Sequence, residues 1–248
     1  MFPPSVPIPQ RDTPEMLDEG RFGEREARRS LNDVARINSF LGATNPLYEE
    51  VWNMIEDAQL KRATVLDIGC GNGDFARRLV NQSRKRGFDL RVLALDVSPL
   101  HLKVAREMTP VDLPIEFIEA DAFALPFDES SVDIITSTLF LHHFRAGQIR
   151  QLLGECSRVA RVGWVMNDCA RDGVALISFR VLRPFLARSF LTRFDAPASI
   201  RRSYSVKEMR DLVEVIPHVR VRSLFPYRLQ VQWTRKGATS TSRSSEPV

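Results

Sequence analysis

Cysteine is scarce in this 248-residue chain: Cys70, Cys156 and Cys169 are an odd number at unrelated spacings. There is no CxxC pair and no histidine at metal-ligand spacing, which argues against a disulfide framework and a metal site and for a reduced, cytoplasmic protein. Long apolar runs are also missing. Nothing approaches the roughly 20 uninterrupted apolar residues of a spanning helix, so membrane contact is restricted to the surface. The opening MFPPSVPIPQRDTPEM lacks the basic start and apolar run of a signal peptide and carries four prolines in its first nine residues. Residues 1–20 are expected to form a flexible lead. The closing stretch, 237–248, is small, polar and unpatterned and is expected to be disordered. No internal repeat is present, which excludes a solenoid.

What is present is ordinary for a globular protein: 44% hydrophobic and 27% charged residues, with a net charge of only +4. The length suits one decorated domain. The basic balance permits acidic partners without requiring them. Two helical patterns come first and make residues 21–60 a helical lid: Leu31, Val34, Ile37 and Leu41 recur at helical intervals, then Leu47, Val51, Met54 and Ile55 do so behind Asn45 as cap and Pro46 in the first turn. From Thr64, short apolar runs alternate with helical segments: TVLDI, DFARRLVNQSRKRG, RVLALD, LHLKVAREM, IEFIEAD, VDIITST, AGQIRQLLGECSRVA, GWVMND and SVKEMRDLVEVI. Such alternation predicts an α/β fold over 61–236 with a largely parallel sheet covered on both faces. The last two runs, VRVRSLF and LQVQWT, are close enough to pair as a hairpin.

The turn after the first strand, VLDIGCGNGDFA, places Asp67 before Gly69, Gly71 and Gly73. A dinucleotide site wants G-x-G-x-x-G, and here the third position is Asp74. Carboxylates at 67 and 74 repel a pyrophosphate but suit a ligand that is cationic near the turn. S-adenosylmethionine, with its ammonium and sulfonium and no phosphate, is such a ligand. The glycines are read as letting that ligand lie against bare backbone. Two further acids end the next strands: Asp96 in LALDVS, where a carboxylate accepts from ribose hydroxyls, and Asp121 in FIEADAFALPF, where Asp121 and the Ala122 amide meet an adenine edge. Each acid taken alone reads equally well as a helix cap.

VLDIGCGNGDFA, ALDVSP, EADAFALPF and FDESSVDIITSTLFLHHF together resemble the successive motifs of class I S-adenosylmethionine-dependent methyltransferases, above all the small-molecule branch that makes ubiquinone and menaquinone. The resemblance is strong from Thr64 to Asp168 and weaker outside. It implies a Rossmann-like, seven-stranded sheet with a final antiparallel hairpin. It also implies that Asp67, Gly69, Gly71 and Gly73 surround the methionyl part, that Asp96 holds the ribose, that Asp121 and Ala122 hold the adenine, and that Thr138 lies beside the cofactor.

STLFLHHF follows the fourth strand, where an acceptor would meet the cofactor. If a hydroxyl is methylated its proton must leave, and His142 or His143 is suited to take it. Adjacent residues point in different directions, so one of the two faces the site and the other packs or caps. Asn167 and Asp168 end the fifth strand at the same edge, a position suited to lining the acceptor site. Asp168 is equally suited to serve as a second base or to cap the insert after it. That insert, at 171–203, is apolar and interrupted by Arg180, Arg183 and Arg188, and Pro184 is expected to divide it into two short helices. With the N-terminal helices it forms a lid whose apolar face suits a lipophilic acceptor and whose arginines suit an acidic group, an anionic membrane surface or plain solvent.

These features favour methyl transfer to a small lipophilic or aromatic acceptor, with oxygen favoured over carbon because of the histidine pair, and the resemblance suggests a phenolic or polyketide acceptor. An RNA or protein methyltransferase fits the pI of about 9.2, but no NPPY-type tetrapeptide, aromatic-studded basic stripe or appended module supports nucleic-acid binding. A SAM-binding partner protein without catalysis is the remaining alternative.

Overall fold

The computed structural model describes residues 6–17, 20 and 22–235. The elements run α1 (Glu24–Phe40), α2 (Asn45–Asp57), β1 (Arg62–Ile68), α3 (Asp74–Arg86), β2 (Asp89–Asp96), α4 (Pro99–Met108), β3 (Ile115–Glu119) and β4 (Val132–Thr138). They continue with a 3-10 turn (Leu141–His143), α5 (Ala146–Val159), β5 (Ala160–Cys169), α6 (Gly173–Leu186), α7 (Phe190–Arg202), α8 (Val206–Val213), β6 (Val219–Leu224) and β7 (Arg228–Thr234). The strand order is β3-β2-β1-β4-β5-β7-β6, with β7 antiparallel to both β5 and β6 and the other pairs parallel. The order reverses between β1 and β4, which opens a crevice at the carboxyl ends of those strands.

Period-two alternation along the central strands sends side chains to two cores. Val65, Val92, Ile134 and Val165 pack beneath α2, α3 and α4, with Leu47, Val51, Leu79 and Leu102. Leu66, Ile68, Leu95 and Ile135 face the other way, onto Ile149, Leu152, Met209 and Leu212 of α5 and α8. The sequence reading of 21–60 as one lid is therefore split. Helix α2 buries its apolar stripe against the sheet as a core helix, and Thr44, not Asn45, holds its N-cap position. Helix α1 alone lies outside the sheet layers, and it buries polar side chains, Ser30, Asp33 and Asn38, as well as Ala27 and Leu31.

Those polar residues join α1 to the insert. The Ser30 and Thr192 hydroxyls are 3.0 Å apart, the Arg188 and Ser189 amides donate to Asp33 Oδ2 at 2.6 and 2.7 Å, and Ser189 Oγ and the Phe190 amide donate to Glu26 Oε1. Carboxylates from α1 thus satisfy amides at the start of α7, which helix geometry leaves without intrahelical acceptors. Pro184 does not divide the insert: α6 runs through it to Leu186, and the chain turns only at Ala187–Ser189. With Pro184 in the last turn, the helix has little further to run, and the Asp33 cap on the next two amides fixes where α7 begins.

Residues 6–17 depart from the expectation of a flexible lead. They form a strap across α6 and α7. Val6 donates to Asp172 and accepts from Gly173, the Arg11 amide donates to the Arg201 carbonyl, and the Met16 and Leu17 amides donate to Asp195. Arg171 donates to the Ile8 carbonyl at 2.9 Å and the Ser203 carbonyl at 3.0 Å and pairs with Glu208, so one buried guanidinium ties strap, insert and α8 together. The prolines forbid regular structure here, but acceptors and donors on the insert satisfy the extended backbone instead. The expected tail at 237–248 lies outside the described residues.

Arg171→Ala removes charge-assisted hydrogen bonds worth about 1.5–3 kcal/mol each. We expect faster limited proteolysis within residues 6–17 and a lower melting temperature; an unchanged cleavage pattern would show that Arg171 does not hold the strap.

Candidate active site

The glycine turn leaves β1 with all three glycines in the left-handed region: Gly69 at φ +68°, Gly71 at +54° and Gly73 at +73°. Side chains are strained there, so the backbone alone demands glycine. The protein's own side chains also approach the turn: a Cβ on Gly69 would meet the Phe140 ring at 2.6 Å, and one on Gly71 would touch Leu31 of α1 at 3.4 Å. Phe140 follows Leu139, whose φ of +57° is a strained value for a leucine and aims the chain back over β1.

Asp67 is buried on β1 and accepts from Thr136 Oγ1 at 3.2 Å. Burial pushes its pKa up to about 7, with the Thr136 bond opposing and the charge of Asp96 adding to the rise. Asp96 ends the neighbouring strand, and its two oxygens accept the Gly71 amide at 3.0 Å and the Ser98 amide at 2.9 Å. Its carboxylate therefore shapes the turn as well as facing the crevice. His101 Nδ1 lies 3.4 Å from the same carboxylate, a partner that the sequence reading did not include. Asp121 lies beyond β3, is exposed, and accepts the Phe123 amide at 2.9 Å; Ala122 is buried beside it. Register places Ser137 level with Ile68 and Thr138 level with Asn167. Among the described residues, Thr138 Oγ1 and Asn167 Nδ2 are buried and have no hydrogen-bond partner, while Asn167 Oδ1 accepts from Gln230.

The histidine pair divides as adjacency requires, though not in the way that would keep both as bases. His142 is buried with Nδ1 2.7 Å from Asp168 Oδ1 and Nε2 3.0 Å from Glu15 Oε1, and its amide donates to Asp168 Oδ2 at 2.8 Å. Burial works against its charge, but the two carboxylates outweigh this and raise its pKa well above the usual histidine value. Both ring nitrogens thus donate, and the imidazolium has no lone pair with which to take a proton. Asp168 spends its oxygens on His142 and on the Cys169 amide, and Asp172, not Asp168, caps α6. The base role expected for His142 and the acceptor-binding, base or capping roles expected for Asp168 give way to a buried carboxylate–imidazolium–carboxylate clamp. Glu15, the third member, sits in the stretch expected to be flexible. No local pattern marks it, because its partner is 127 positions away.

One atom each from Glu15, His142 and His143 lies within 4.8 Å of the others, near enough to share a metal ion. The direct bonds of His142 to both carboxylates already satisfy those atoms. His143 is half-buried and borders a cavity of about 520 Å³ with Asp12, Phe144, Arg145, Arg202 and Tyr204. Phe140 packs edge-on against Phe144 at 4.8 Å, and Phe144 against Phe123 at 5.0 Å. An aromatic wall therefore runs from the glycine turn to the cavity.

The clamp carries a pH signature. Glu15 is burdened by burial, but His142 pulls its pKa down from 4.5 to about 2, and Asp168 is lowered in the same way. The stability these acids contribute is present above their ordinary range and is lost as pH falls towards 2. The share from His142 is complete below 6.5 and is lost as pH climbs through its raised folded value. His142→Ala leaves two buried carboxylates without their cation and should cost about 3–5 kcal/mol. The check is a urea titration across pH: the wild-type margin over the variant should be largest near pH 5–6.5 and shrink in acid, and an equal margin at pH 3 would contradict the clamp.

Comparison with known proteins agrees with this geometry. The methyltransferase domain family matches residues 65–163. Demethylmenaquinone methyltransferase of Thermus thermophilus is 33% identical over 110 residues, 43% of this chain and 47% of that protein. The biotin biosynthesis bifunctional protein BioHC of Cellvibrio japonicus is 36% identical over 106 residues, 43% of this chain and 19% of its own length. The matched stretch thus spans less than half of either relative. Among solved structures, the plantazolicin methyltransferase BpumL, in complex with a pentazolic desmethyl analogue and SAH, superposes with a TM-score of 0.58 at 13% identity over 88% of this chain and 98% of its own. A SAM-dependent methyltransferase from Aquifex aeolicus gives 0.51 at 20% identity, over 75% and 88%. Residues 65–163 thus match a methyltransferase domain, and the seven-stranded sheet with its terminal hairpin and the glycine turn edged by Asp67 and Asp96 have the form that the resemblance to class I S-adenosylmethionine-dependent methyltransferases implies.

Proposed function

We propose that the protein transfers a methyl group from S-adenosylmethionine to a small lipophilic or aromatic acceptor, with oxygen as the favoured nucleophile. The observation that carries this reading is the pair of buried acids, Asp67 and Asp96, on adjacent strand ends at a left-handed glycine turn. A buried carboxylate with its pKa at about 7 calls for a nearby cation and repels a phosphate. The donor set fits the cofactor in other respects too. Each oxygen of Asp96 accepts one amide and retains acceptor capacity for hydroxyls. Asp121 offers a carboxylate to an exocyclic amine and Ala122 a backbone amide to a ring nitrogen. Thr138 Oγ1 and Asn167 Nδ2 supply unspent polar atoms at the same edge.

When bound, S-adenosylmethionine supplies an electrophilic methyl group. The chain's own residues do the rest: Asp67 answers the positive methionyl end, Asp96 fixes the ribose, and the Phe140–Phe144 wall keeps water from the reacting atoms. The cavity beside His143 would receive the acceptor, and His143 would take the proton that the acceptor hydroxyl loses on methylation, the methyl–sulfur bond breaking as the oxygen–methyl bond forms. The aromatic lining suits a ring-bearing acceptor. Relatives named for demethylmenaquinone and for 2-phytyl-1,4-naphtoquinone point in the same direction.

Binding of the cationic cofactor should draw the proton from Asp67, so affinity should rise between pH 6 and 8; calorimetry on Asp67→Asn should find a weaker, flatter profile, and an unchanged slope would remove Asp67 from the site. For the chemistry, wild type and His143→Ala are assayed with labelled S-adenosylmethionine against quinols, phenols and polyketides. We expect His143→Ala to lower turnover by about 10²–10⁴-fold while cofactor affinity changes little. Full turnover in that variant would leave catalysis to positioning alone, and no product from any acceptor would favour a non-catalytic SAM-binding protein.

A further inference from the structure

The insert presents a surface that the catalytic reading does not use. On α6, Ile177, Val181 and Phe185 recur every four residues and are 61%, 68% and 81% exposed, and Phe190, at the start of α7, is 58% exposed. Elsewhere α6 and α7 are held firmly: α6 is capped by Asp172 against Val6, and α7 by Ser189, Asp33 and Glu26 against α1. The exposed apolar row is therefore a fixed feature of a tethered helical hairpin.

Within the hairpin itself the charge has one sign, and Glu26 of α1, beside Phe190, is spent on the α7 start and on Arg29. Between Asp172 and Asp195 the sequence contains Arg180, Arg183, Arg188 and Arg193 and no acid, and all four arginines are exposed. The bounding acids are turned inward: Asp172 caps α6 and receives Val6, and Asp195 accepts the Met16 and Leu17 amides. A contiguous apolar row of this kind marks an interaction surface. A second copy of the chain suits it poorly, because a two-fold contact sets like patch against like patch and brings the arginines of both copies together without an intervening carboxylate.

We propose that the α6–α7 hairpin docks on an anionic lipid bilayer, with Ile177, Val181, Phe185 and Phe190 entering the acyl boundary and the four arginines at the phosphate level. Long apolar side chains flanked by arginine stems are the composition of an interfacial helix, and no described helix is long and apolar enough to cross a membrane. The hairpin is also the lid fastened over α1 and the strap, so docking would set the lid at the phase in which a lipophilic acceptor dissolves. The docking surface stands on its own observations and does not depend on the methyl-transfer reading.

The test is flotation of the full chain with vesicles of phosphatidylcholine alone or with one-quarter phosphatidylglycerol, at low and high salt, alongside sedimentation velocity without lipid. We expect flotation with anionic vesicles that high salt weakens, loss of it in the double variant Val181→Ser with Phe185→Ser, and a roughly 30-fold lower partition coefficient in Arg180→Gln with Arg183→Gln. All four positions are exposed, so an unchanged melting temperature and S-adenosylhomocysteine affinity verify that each variant is folded. No flotation with either vesicle overturns the proposal, as does flotation that is equal for the wild type and Val181→Ser with Phe185→Ser. A lipid-free dimer that dissolves on Phe185→Ser would assign the face to a second copy instead.

Discussion

The imidazolium of His142, held between Asp168 of β5 and Glu15 of the strap, is the interaction on which the outer half of the structure depends. The 3-10 turn that carries it follows β4 directly, so one cation fixes three things at once: the exit of β4, the end of β5 and the path of the N-terminal segment. The segment is in turn bonded to the insert, and the insert to α1, whose Leu31 lies on the glycine turn. Burying three charged groups is unfavourable until all three meet with good geometry, so the clamp forms as a unit or not at all.

The adjacent histidines sit in different surroundings. His142 is spent on architecture, and in being fixed it sets where His143 points, towards the cavity and the aromatic wall. Beneath them, the sheet supplies acids at the ends of β1 and β2, and burial, with the charge of Asp96 adding to it, raises the Asp67 pKa. The site is thus carboxylate-rich on the turn side, and on the strap side one imidazolium is held between two carboxylates. Arg145 and Arg202 border the cavity that opens beyond His143, and both pair with Asp12.

Helix α1 and the insert are joined by polar contacts. Helix α1 buries Ser30, Asp33 and Asn38 against the insert and β7, and its exposed salt bridges to α4, such as Lys103 with Glu24, add little in open solvent. Hydrogen bonds between a helix and a neighbouring helix start break one at a time, unlike a packed apolar face. The sheet layers and the α1–insert unit are therefore held by different kinds of force, and the elements bearing the docking surface are those outside the two hydrophobic cores.

The sheet was legible in the sequence because its signals are local: alternation along β1 to β5, helical spacing between them, a glycine triplet, and acids at strand ends. Those patterns determined the class of fold, the strand succession and the cofactor edge, since each residue's burial there follows from its own period. The strap, the clamp and the different placements of His142 and His143 were decided only by tertiary structure. Glu15 and His142, Asp33 and Ser189, and Arg171 and Ile8 are pairs more than a hundred positions apart, made of polar residues that look solvent-facing when read along the chain. A buried ion pair has no periodicity, and the energy that makes it favourable exists only once both partners leave water together.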